Sequence, residues 1–282
     1  MAALAIAGLL LLAWAWPPAA VLAVWPALFL VPGWALVAWL RPRVGSPGRL
    51  GLSVVLSVAV SAHGVYWLSL VAGYQRWTVF AVAAVLLLPI PTAVWLRGRC
   101  LLAAGARGAA RTLRREWAAF ALAALAAGFV AVVLQAGLWR PTDTGVAAGG
   151  SNWSDLGVHL SIAQSLNAGN FPPEVPYFAG APLVYHWFAD FHSAITSLAA
   201  GLFAVPSFVA SSGILAGALA LVVHGLARAL LRGAGARRAA LLAVGLVIFA
   251  GGLGWIRFVG DVATGVDTPL ALLTSNSYDN SW

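Results

Sequence analysis

Long apolar runs separated by short loops constrain the fold of this chain more than any other feature of its sequence. A helix needs about 20 apolar residues to cross the roughly 30 Å hydrocarbon core of a bilayer, and most of the runs reach that length. A membrane interior supplies no hydrogen-bond partners for the backbone, so spanning segments of this kind are helical. We therefore predict an all-α, polytopic transmembrane helix bundle with about seven spans. The runs cover residues 3–16, 19–40, 50–72, 77–96, 117–138, 207–231 and 239–258.

The charged residues indicate which loops face the cytoplasm. Only 9% of the 282 residues are charged, against about 25% in soluble proteins, and all 16 basic residues are arginines. They are concentrated in short loops at 41–49, 97–116 and 232–238, where the positive-inside rule accounts for them better than nucleic-acid binding does. We expect these loops in the cytoplasm, both termini and residues 139–206 outside, and no nucleic-acid partner.

One long interval interrupts the apolar runs and holds most of the polar chemistry. Residues 151–203 contain three of the eight acidic residues and three of the five histidines. Ser154 is a suitable N-cap for a helix whose first turn carries Asp155, and Gly169 followed by prolines ends that helix. Asp155 and His159 are four residues apart, so they share one face of the predicted helix.

A second helix is predicted to begin after Pro182. The run 183–205 has a polar stripe at helical spacing, with aromatic and aliphatic residues on its remaining surface. If this run crossed the membrane, the arginines of 232–238 would lie outside, so we expect it to lie along the outer surface as a juxtamembrane helix. Phe188 and Phe191 should then face lipid or protein, while the stripe faces water or an active-site cleft. The stripe consists of His186, Asp190, Ser193 and Ser197.

A series of features between residues 117 and 258 is typical of one enzyme group. An outward-going span is followed by an acid, a short helix ending in glycine, a proline-rich turn and the pattern G-x-P-L-x-Y-x-W within NFPPEVPYFAGAPLVYHWFADF. This series resembles the first extracytoplasmic loop of GT-C glycosyltransferases, such as protein mannosyltransferases and aminoarabinose transferases. The segment is also similar to the YYY-type membrane proteins of bacteria and archaea.

The resemblance implies a function. The chain would be a membrane glycosyltransferase of the bacterial plasma membrane that transfers a sugar from a polyprenyl-phosphate donor to an acceptor on the extracytoplasmic face. Asp155 matches the family's catalytic loop acid, and the alternative for it is a helix-start carboxylate on a wet loop with no further role. The residues expected to bind the substrate are His159, Tyr185, His186, Asp190 and Arg257.

Other polar residues leave alternatives open. A divalent-metal or phosphate site is able to form around Asp155, with Mg²⁺ or Mn²⁺ as the candidate cofactor, although ordinary surface polar residues have the same pattern. The other members of this site would be His159, His186, Asp190 and His192. Arg76, Arg140 and Arg257 are expected outside, as clamps for a lipid phosphate or as membrane anchors. His63 and His224 lie within spans, where packed, hydrogen-bonded histidines are more common than functional ones.

The organisation of the chain suggests two parts. Residues 1–116 form N-terminal transmembrane helices with a basic cytoplasmic loop, and residues 117–282 form the GT-C-like module with its outer loop at 139–206. The sequence ends in the polar stretch TSNSYDNSW with fewer spans than such enzymes carry, so we expect a fragment of a longer protein. The rival interpretation is a non-enzymatic membrane protein, either a transporter or an envelope-assembly scaffold.

Overall fold

The chain folds almost entirely as helices, which confirms the predicted all-α class. The computed structural model describes residues 2–90, 100–138, 140–143, 145–147, 155–178, 180–233, 235–249 and 254–274. One short antiparallel hairpin pairs β1 (Arg140–Thr142) with β2 (Gly145–Ala147). The helices are α1 (Ala2–Ala15), a 3₁₀ turn (Pro17–Ala19), α2 (Ala20–Ala23), α3 (Trp25–Phe29), α4 (Val31–Leu40), α5 (Gly45–Ala72), α6 (Arg76–Leu87), α7 (Cys100–Arg115), α8 (Trp117–Leu138), α9 (Asp155–Asn167), α10 (Phe188–Ala200), α11 (Ala204–Leu230), α12 (Ala236–Phe249), α13 (Gly254–Ala263) and α14 (Pro269–Thr274).

Three of the described helices are long and apolar enough to cross a membrane, namely α5, α8 and α11. Helix α8 coincides residue for residue with the predicted run 117–138, and α5 and α11 contain or closely overlap the runs 50–72 and 207–231. The stretch from Pro17 to Leu40 makes a fourth span if its bent pair of segments is counted as one. These helices place the chain in a lipid bilayer.

The predicted span 19–40 is broken rather than straight. Its two halves are bent by 44° about a break near Val24, and a second interruption occurs at Leu30, where the backbone leaves helical geometry. Pro26 and Pro32 each lie in the first turn of the helix that follows an interruption. Proline lacks the amide hydrogen and clashes with the preceding turn, so it starts a helix more easily than it continues one.

The other apolar runs form shorter helices. Helices α1, α6 and α12 have 14, 12 and 14 residues, which at 1.5 Å per residue gives roughly 18–21 Å. That length is less than the hydrocarbon core. The runs 77–96 and 239–258 continue into residues 91–99 and 250–253, which lie outside the described part of the chain. The seven-span arrangement therefore stays a prediction.

Helix α11 packs against both α5 and α8 through small residues. A Cβ atom added to Gly225 of α11 would lie 2.5 Å from the Cα atom of Gly48 in α5, and one added to Gly51 would lie 2.6 Å from the carbonyl oxygen of Ala218. On the opposite side, Gly217 faces the backbone of Ala123 in α8. Close backbone approach at glycine is the usual way in which spanning helices associate.

Helix α10 is buried against protein, so the water-facing alternative for its polar stripe is wrong, whereas the position of 183–205 along the outer membrane surface stays a prediction. The helix begins at Phe188 and contacts α2, α5, α6, α9, α11 and the 3₁₀ turn. Asp190, Ser193 and Ser197 of the stripe are buried, as is Phe191. A polar stripe at helical spacing marks the face that needs polar partners, and here protein groups supply them instead of water.

The main hydrophobic core joins the two predicted parts of the chain. Its buried side chains come from the N-terminal helices and from α9 and α10, and extend from Ala13 to Ala200. Because both parts contribute to one core, the structure does not separate them at residue 116, and the two-part organisation stays a prediction. The polar C-terminal stretch 275–282 lies outside the described residues.

Candidate functional site

Helices α9 and α10 bring together a histidine and an aspartate that are 31 positions apart in the sequence. His159 lies one turn into α9, and Asp190 lies in the first turn of α10. The Nδ1 atom of His159 is 2.9 Å from Oδ1 and 3.0 Å from Oδ2 of Asp190. Both carboxylate oxygens are thus within hydrogen-bond distance of one ring nitrogen.

The segment 168–187, which connects the two helices, is held in place by local hydrogen bonds. Helix α9 ends at Asn167, just before the predicted stop at Gly169, which has a φ of +102°, a conformation that residues other than glycine rarely adopt. The side-chain oxygen of Asn170 accepts a hydrogen bond from the amide of Glu174, and its side-chain nitrogen donates to the Glu174 carbonyl. Glu174 also forms a β-bridge with Pro182, and this bridge returns the chain toward α10.

Burial sets the electrostatics of the pair. Asp190 is 1% exposed, and removal from water raises the pKa of its carboxyl above the usual value, while the hydrogen bond and charge of His159 and the charge of His186 act in the opposite direction. The His159 side chain keeps 21% of its surface exposed. A proton on Nδ1 satisfies the carboxylate and fixes the orientation of the ring, so that Asp190 positions His159 and leaves Nε2 for a ligand.

An exposed aromatic pair lies beside this histidine. Tyr185 and His186 stack with ring centroids 4.0 Å apart and planes inclined by 29°. Their centroids are 5.6 and 5.8 Å from that of His159. Four of the predicted substrate-binding residues, His159, Tyr185, His186 and Asp190, therefore form one cluster, which combines a flat apolar surface with polar groups.

Asp155 begins the helix that carries the cluster. It precedes His159 by four residues, so the two positions lie on one face of α9 about 6 Å apart along the axis. The side chain of Asp155 and the whole of Ser154, the predicted N-cap, lie outside the described residues. The catalytic role of Asp155 stays a prediction that follows from its place in the loop.

Arg76 is held by backbone carbonyls, and its roles as a clamp for a lipid phosphate or as a membrane anchor stay predictions. Its guanidinium nitrogens donate to the carbonyls of Ala13 at 2.6 Å, Trp14 at 3.0 Å and Ala199 at 3.3 Å. The same group lies 5.0 Å from the ring centroids of Trp14 and Phe80. Arg76 thus ties the C-terminal ends of α1 and α10 together, where carbonyls and the helix dipole favour a cation.

The other two arginines that were expected outside, Arg140 and Arg257, are less informative. Arg257 is exposed on α13, a helix that packs mainly against α14. Its predicted role in binding substrate therefore rests on charge alone. The side chain of Arg140 lies outside the described residues.

The described side chains do not fit a divalent-metal site. They include no group of three or more histidine, cysteine, aspartate or glutamate residues placed to hold an ion. His192, a candidate ligand in the sequence, is buried with its ring 4.8 Å from that of Phe29. Neither of its nitrogens makes a hydrogen bond of ordinary geometry among the described residues. Burial lowers the pKa of His192 to about 4, and the nearby carbonyl of Leu28 opposes this shift.

A polar network formed by Tyr74, Asn167 and Ser197 was not predicted from the sequence. The Tyr74 hydroxyl donates to the side-chain oxygen of Asn167 at 3.0 Å, and the side-chain nitrogen of Asn167 lies 3.2 Å from the Ser197 hydroxyl. Burial raises the pKa of Tyr74, so the phenol stays protonated as a donor. The only sequence signal for this network was the aromatic pair in GYQRW, which is typical of a membrane interface. Aromatic residues also pack against protein, as Tyr74 does against Phe171.

The two histidines within predicted spans differ. His63 is hydrogen-bonded through Nδ1 to the Ala59 carbonyl at 2.8 Å, as predicted. Its ring lies 4.5 Å from that of Phe188, but the residue is exposed rather than buried. His224 is packed, but both of its ring nitrogens are without a hydrogen-bond partner among the described residues. That part of the prediction is wrong.

Comparison with family models, with curated protein sequences and with solved structures finds no match to this chain.

Proposed function

We propose that this protein is a membrane glycosyltransferase of GT-C type that transfers a sugar from a polyprenyl-phosphate donor to an acceptor on the extracytoplasmic face. The observation that supports this proposal best is the His159–Asp190 pair. The two residues come from the two sequence segments that carry the family resemblance, and they meet beside an exposed aromatic stack of Tyr185 and His186.

The proposed reaction is a displacement at the anomeric carbon of the donor sugar. The acceptor hydroxyl oxygen attacks this carbon, the bond from carbon to phosphate oxygen breaks, and the lipid phosphate leaves with the electron pair. The Asp155 carboxylate takes the proton of the attacking hydroxyl as general base. In its protonated form His159, held by Asp190, donates its Nε2–H to a phosphate oxygen of the donor, and the Tyr185–His186 stack supports the sugar face.

The proposed membrane arrangement has seven spans in a bacterial plasma membrane, with the loop 139–206 outside. The arginine-rich segments support it because they meet at one end of the bundle: Arg237 donates to the carbonyl of Arg115 at 2.6 Å. The His159 cluster contacts the other end of α11 through Phe208, at a ring distance of 6.4 Å. The two ends of α11 would thus lie on opposite sides of the membrane.

One observation favours the rival class of transporter. The bent stretch from Pro17 to Leu40 contacts the buried α10 helix, where the Trp25 indole donates to the carbonyl of Thr196 at 3.3 Å. Broken helices of this kind form the substrate sites of many transporters. A transporter would move its ligand across a sealed membrane, whereas a glycosyltransferase would leave the lipid phosphate on the side where it acted.

Binding of undecaprenyl phosphate, the leaving group shared by donors of this class, tests the proposal without knowledge of the sugar. We expect the purified full chain in detergent to bind it saturably by microscale thermophoresis, and His159→Ala to weaken the binding about tenfold. The matched control is Tyr177→Ala, at a side chain that is 76% exposed in the same loop. Absence of saturable binding, or equal weakening by both variants, would contradict the proposal.

A further inference from the structure

A cavity lies at the end of the bundle away from the His159 cluster. It has a volume of about 290 Å³ and is lined by three separate segments of the chain. Helix α11 connects the two sites, since Phe208 contacts His159 and His224 lines the cavity. The 16 residues between them correspond to about 24 Å along the helix axis. The lining segments are residues 43–47, the end of α7 with Thr112, Arg115 and Glu116, and His224, Arg228 and Ala229 of α11.

The lining is strongly basic. Arg43, Arg115 and Arg228 come from the three segments and share the cavity with a single acid, Glu116. Arg115 is paired with that acid at 3.5 Å, and this arginine side chain is 79% exposed. One of the three positive charges is thereby balanced and two remain. Guanidinium groups bind phosphate and carboxylate oxygens through two parallel hydrogen bonds, so such a cavity is suited to an anion.

The floor of the cavity supplies a second, independent observation. His224 is 2% exposed, and neither of its ring nitrogens has a hydrogen-bond partner among the described residues. The Oε2 atom of Glu116 is also buried and unpartnered. Buried polar atoms are paired in most proteins because an unpaired one costs about 1–3 kcal/mol. A donor and an acceptor left unsatisfied in one cavity wall indicate a polar ligand that both donates and accepts.

We propose that this cavity binds a phosphate group that carries or adjoins a hydroxyl. Arg43 and Arg228 hold the phosphate oxygens, His224 donates one ring N–H, and Glu116 accepts the hydroxyl proton in a hydrogen bond. The ligand is either the headgroup of an anionic phospholipid at this membrane face or a small soluble phosphate. The volume of about 290 Å³ accommodates a headgroup or an inorganic phosphate and is small for a drug-sized molecule.

Binding measurements on the full chain distinguish these two sources. In one arm the protein is placed in nanodiscs of phosphatidylcholine with increasing phosphatidylglycerol, and bound lipid is counted by native mass spectrometry. In the other arm inorganic phosphate is titrated into protein in pure phosphatidylcholine nanodiscs. Saturable binding in the first arm alone assigns a lipid headgroup, and saturable binding in the second assigns soluble phosphate.

Matched charge variants locate the site. Arg43→Gln with Arg228→Gln is expected to weaken binding at least tenfold. The control, Arg232→Gln with Arg238→Gln, removes the same charge from exposed residues that do not line the cavity, and is expected to change binding less than about twofold. His224→Phe, which keeps a ring but removes both nitrogens, should also weaken binding. Folding of each variant is checked by size-exclusion chromatography and thermal unfolding.

Two outcomes would overturn the proposal. One is no saturable binding in either arm by wild-type protein. The other is equal weakening by the cavity and control pairs, which would show general attraction to the basic end of the bundle. The result is distinguishable from the proposed glycosyl transfer, because these variants leave the His159 cluster unchanged and phosphate bound at that cluster would not respond to them.

Discussion

His159 and Asp190 form a hydrogen-bonded pair, with Nδ1 of the imidazole 2.9 and 3.0 Å from the two carboxylate oxygens, that joins two helices of a largely apolar bundle. The aspartate is buried and the histidine retains access to the exterior. This difference in exposure assigns Asp190 the supporting position and His159 the one facing a ligand.

The first prediction concerns pH. The raised pKa of Asp190 means that the folded state binds its proton more tightly than the unfolded state, so its contribution to stability is present at low pH. This contribution is lost as pH rises from the usual carboxyl pKa through the raised one, by about 1.4 kcal/mol for each pH unit that separates the two pKa values. The melting temperature of Asp190→Asn relative to wild type should therefore rise between pH 4 and pH 7.

The comparison of Asp190→Asn with wild type removes the contribution of His192. The pKa of His192 is lowered to about 4, which gives the opposite trend. Its contribution to the stability of the folded state falls as the pH falls below the usual pKa of a histidine. His192 is present in both proteins, so its contribution cancels. A gap in melting temperature that does not change across this pH range would show that burial of Asp190 is not the dominant influence on its ionisation.

A second prediction tests the helix contact between Gly48 and Gly225. A methyl group at Gly225 would lie 2.5 Å from the Gly48 Cα atom, so Gly225→Ala should force α5 and α11 apart and lower stability by about 1–3 kcal/mol. Gly245→Ala is the matched control, because nothing lies within 4 Å of a Cβ atom at that helical glycine. It should be neutral or stabilising by up to about 1 kcal/mol. Thermal unfolding in detergent measures both, and equal effects would refute the close contact.

A third prediction concerns Arg76. Loss of its bonds to carbonyls of α1 and α10 in Arg76→Gln should cost about 2 kcal/mol, or about 4–8 °C in melting temperature for a chain of this size. Arg111→Gln, at an exposed arginine of α7, should change it by less than about 2 °C. A stable Arg76→Gln protein would indicate that these bonds exchange readily with water.

A fourth prediction concerns membrane topology. In a Cys100→Ser background, single cysteines at Tyr177 and Arg232, both exposed, should react with an impermeant maleimide from opposite sides of the membrane. The reason is the positive-inside rule together with the separation of about 24 Å along α11. Labelling of both cysteines from the same side would exclude a topology in which residues 139–206 lie outside and the arginine-rich loops lie in the cytoplasm.

The features predictable from the sequence are those with local causes. The ends of α8 and α9 follow from hydrophobic length, a glycine and adjacent prolines, and the structure places them where these signals lie. The polar stripe of α10 predicted which side chains need polar partners. The stripe does not indicate whether water or protein supplies those partners, because helical periodicity shows only which residues share one face of the helix.

Long-range contacts explain the remaining differences. Arg76 resembled a membrane-flanking arginine, and its actual partners are carbonyls more than 60 residues before it and 123 after it. The basic loops were expected on one side of the membrane. The cavity formed by Arg43, Arg115 and Arg228 depends on how three helix ends meet, and no local pattern encodes that arrangement.

The most direct test of the proposed function is sugar transfer by Asp155→Asn. The substitution keeps the size of the side chain and removes the charge needed for a base, so transfer from metabolically labelled polyprenyl-phosphate sugars by the full-length protein should fall at least about a hundredfold. Asp143→Asn, at an exposed acid in the same loop between α8 and α9, should stay within about twofold of wild type. Near-normal transfer by well-folded Asp155→Asn would contradict the catalytic assignment and leave Asp155 as an ordinary helix-start carboxylate.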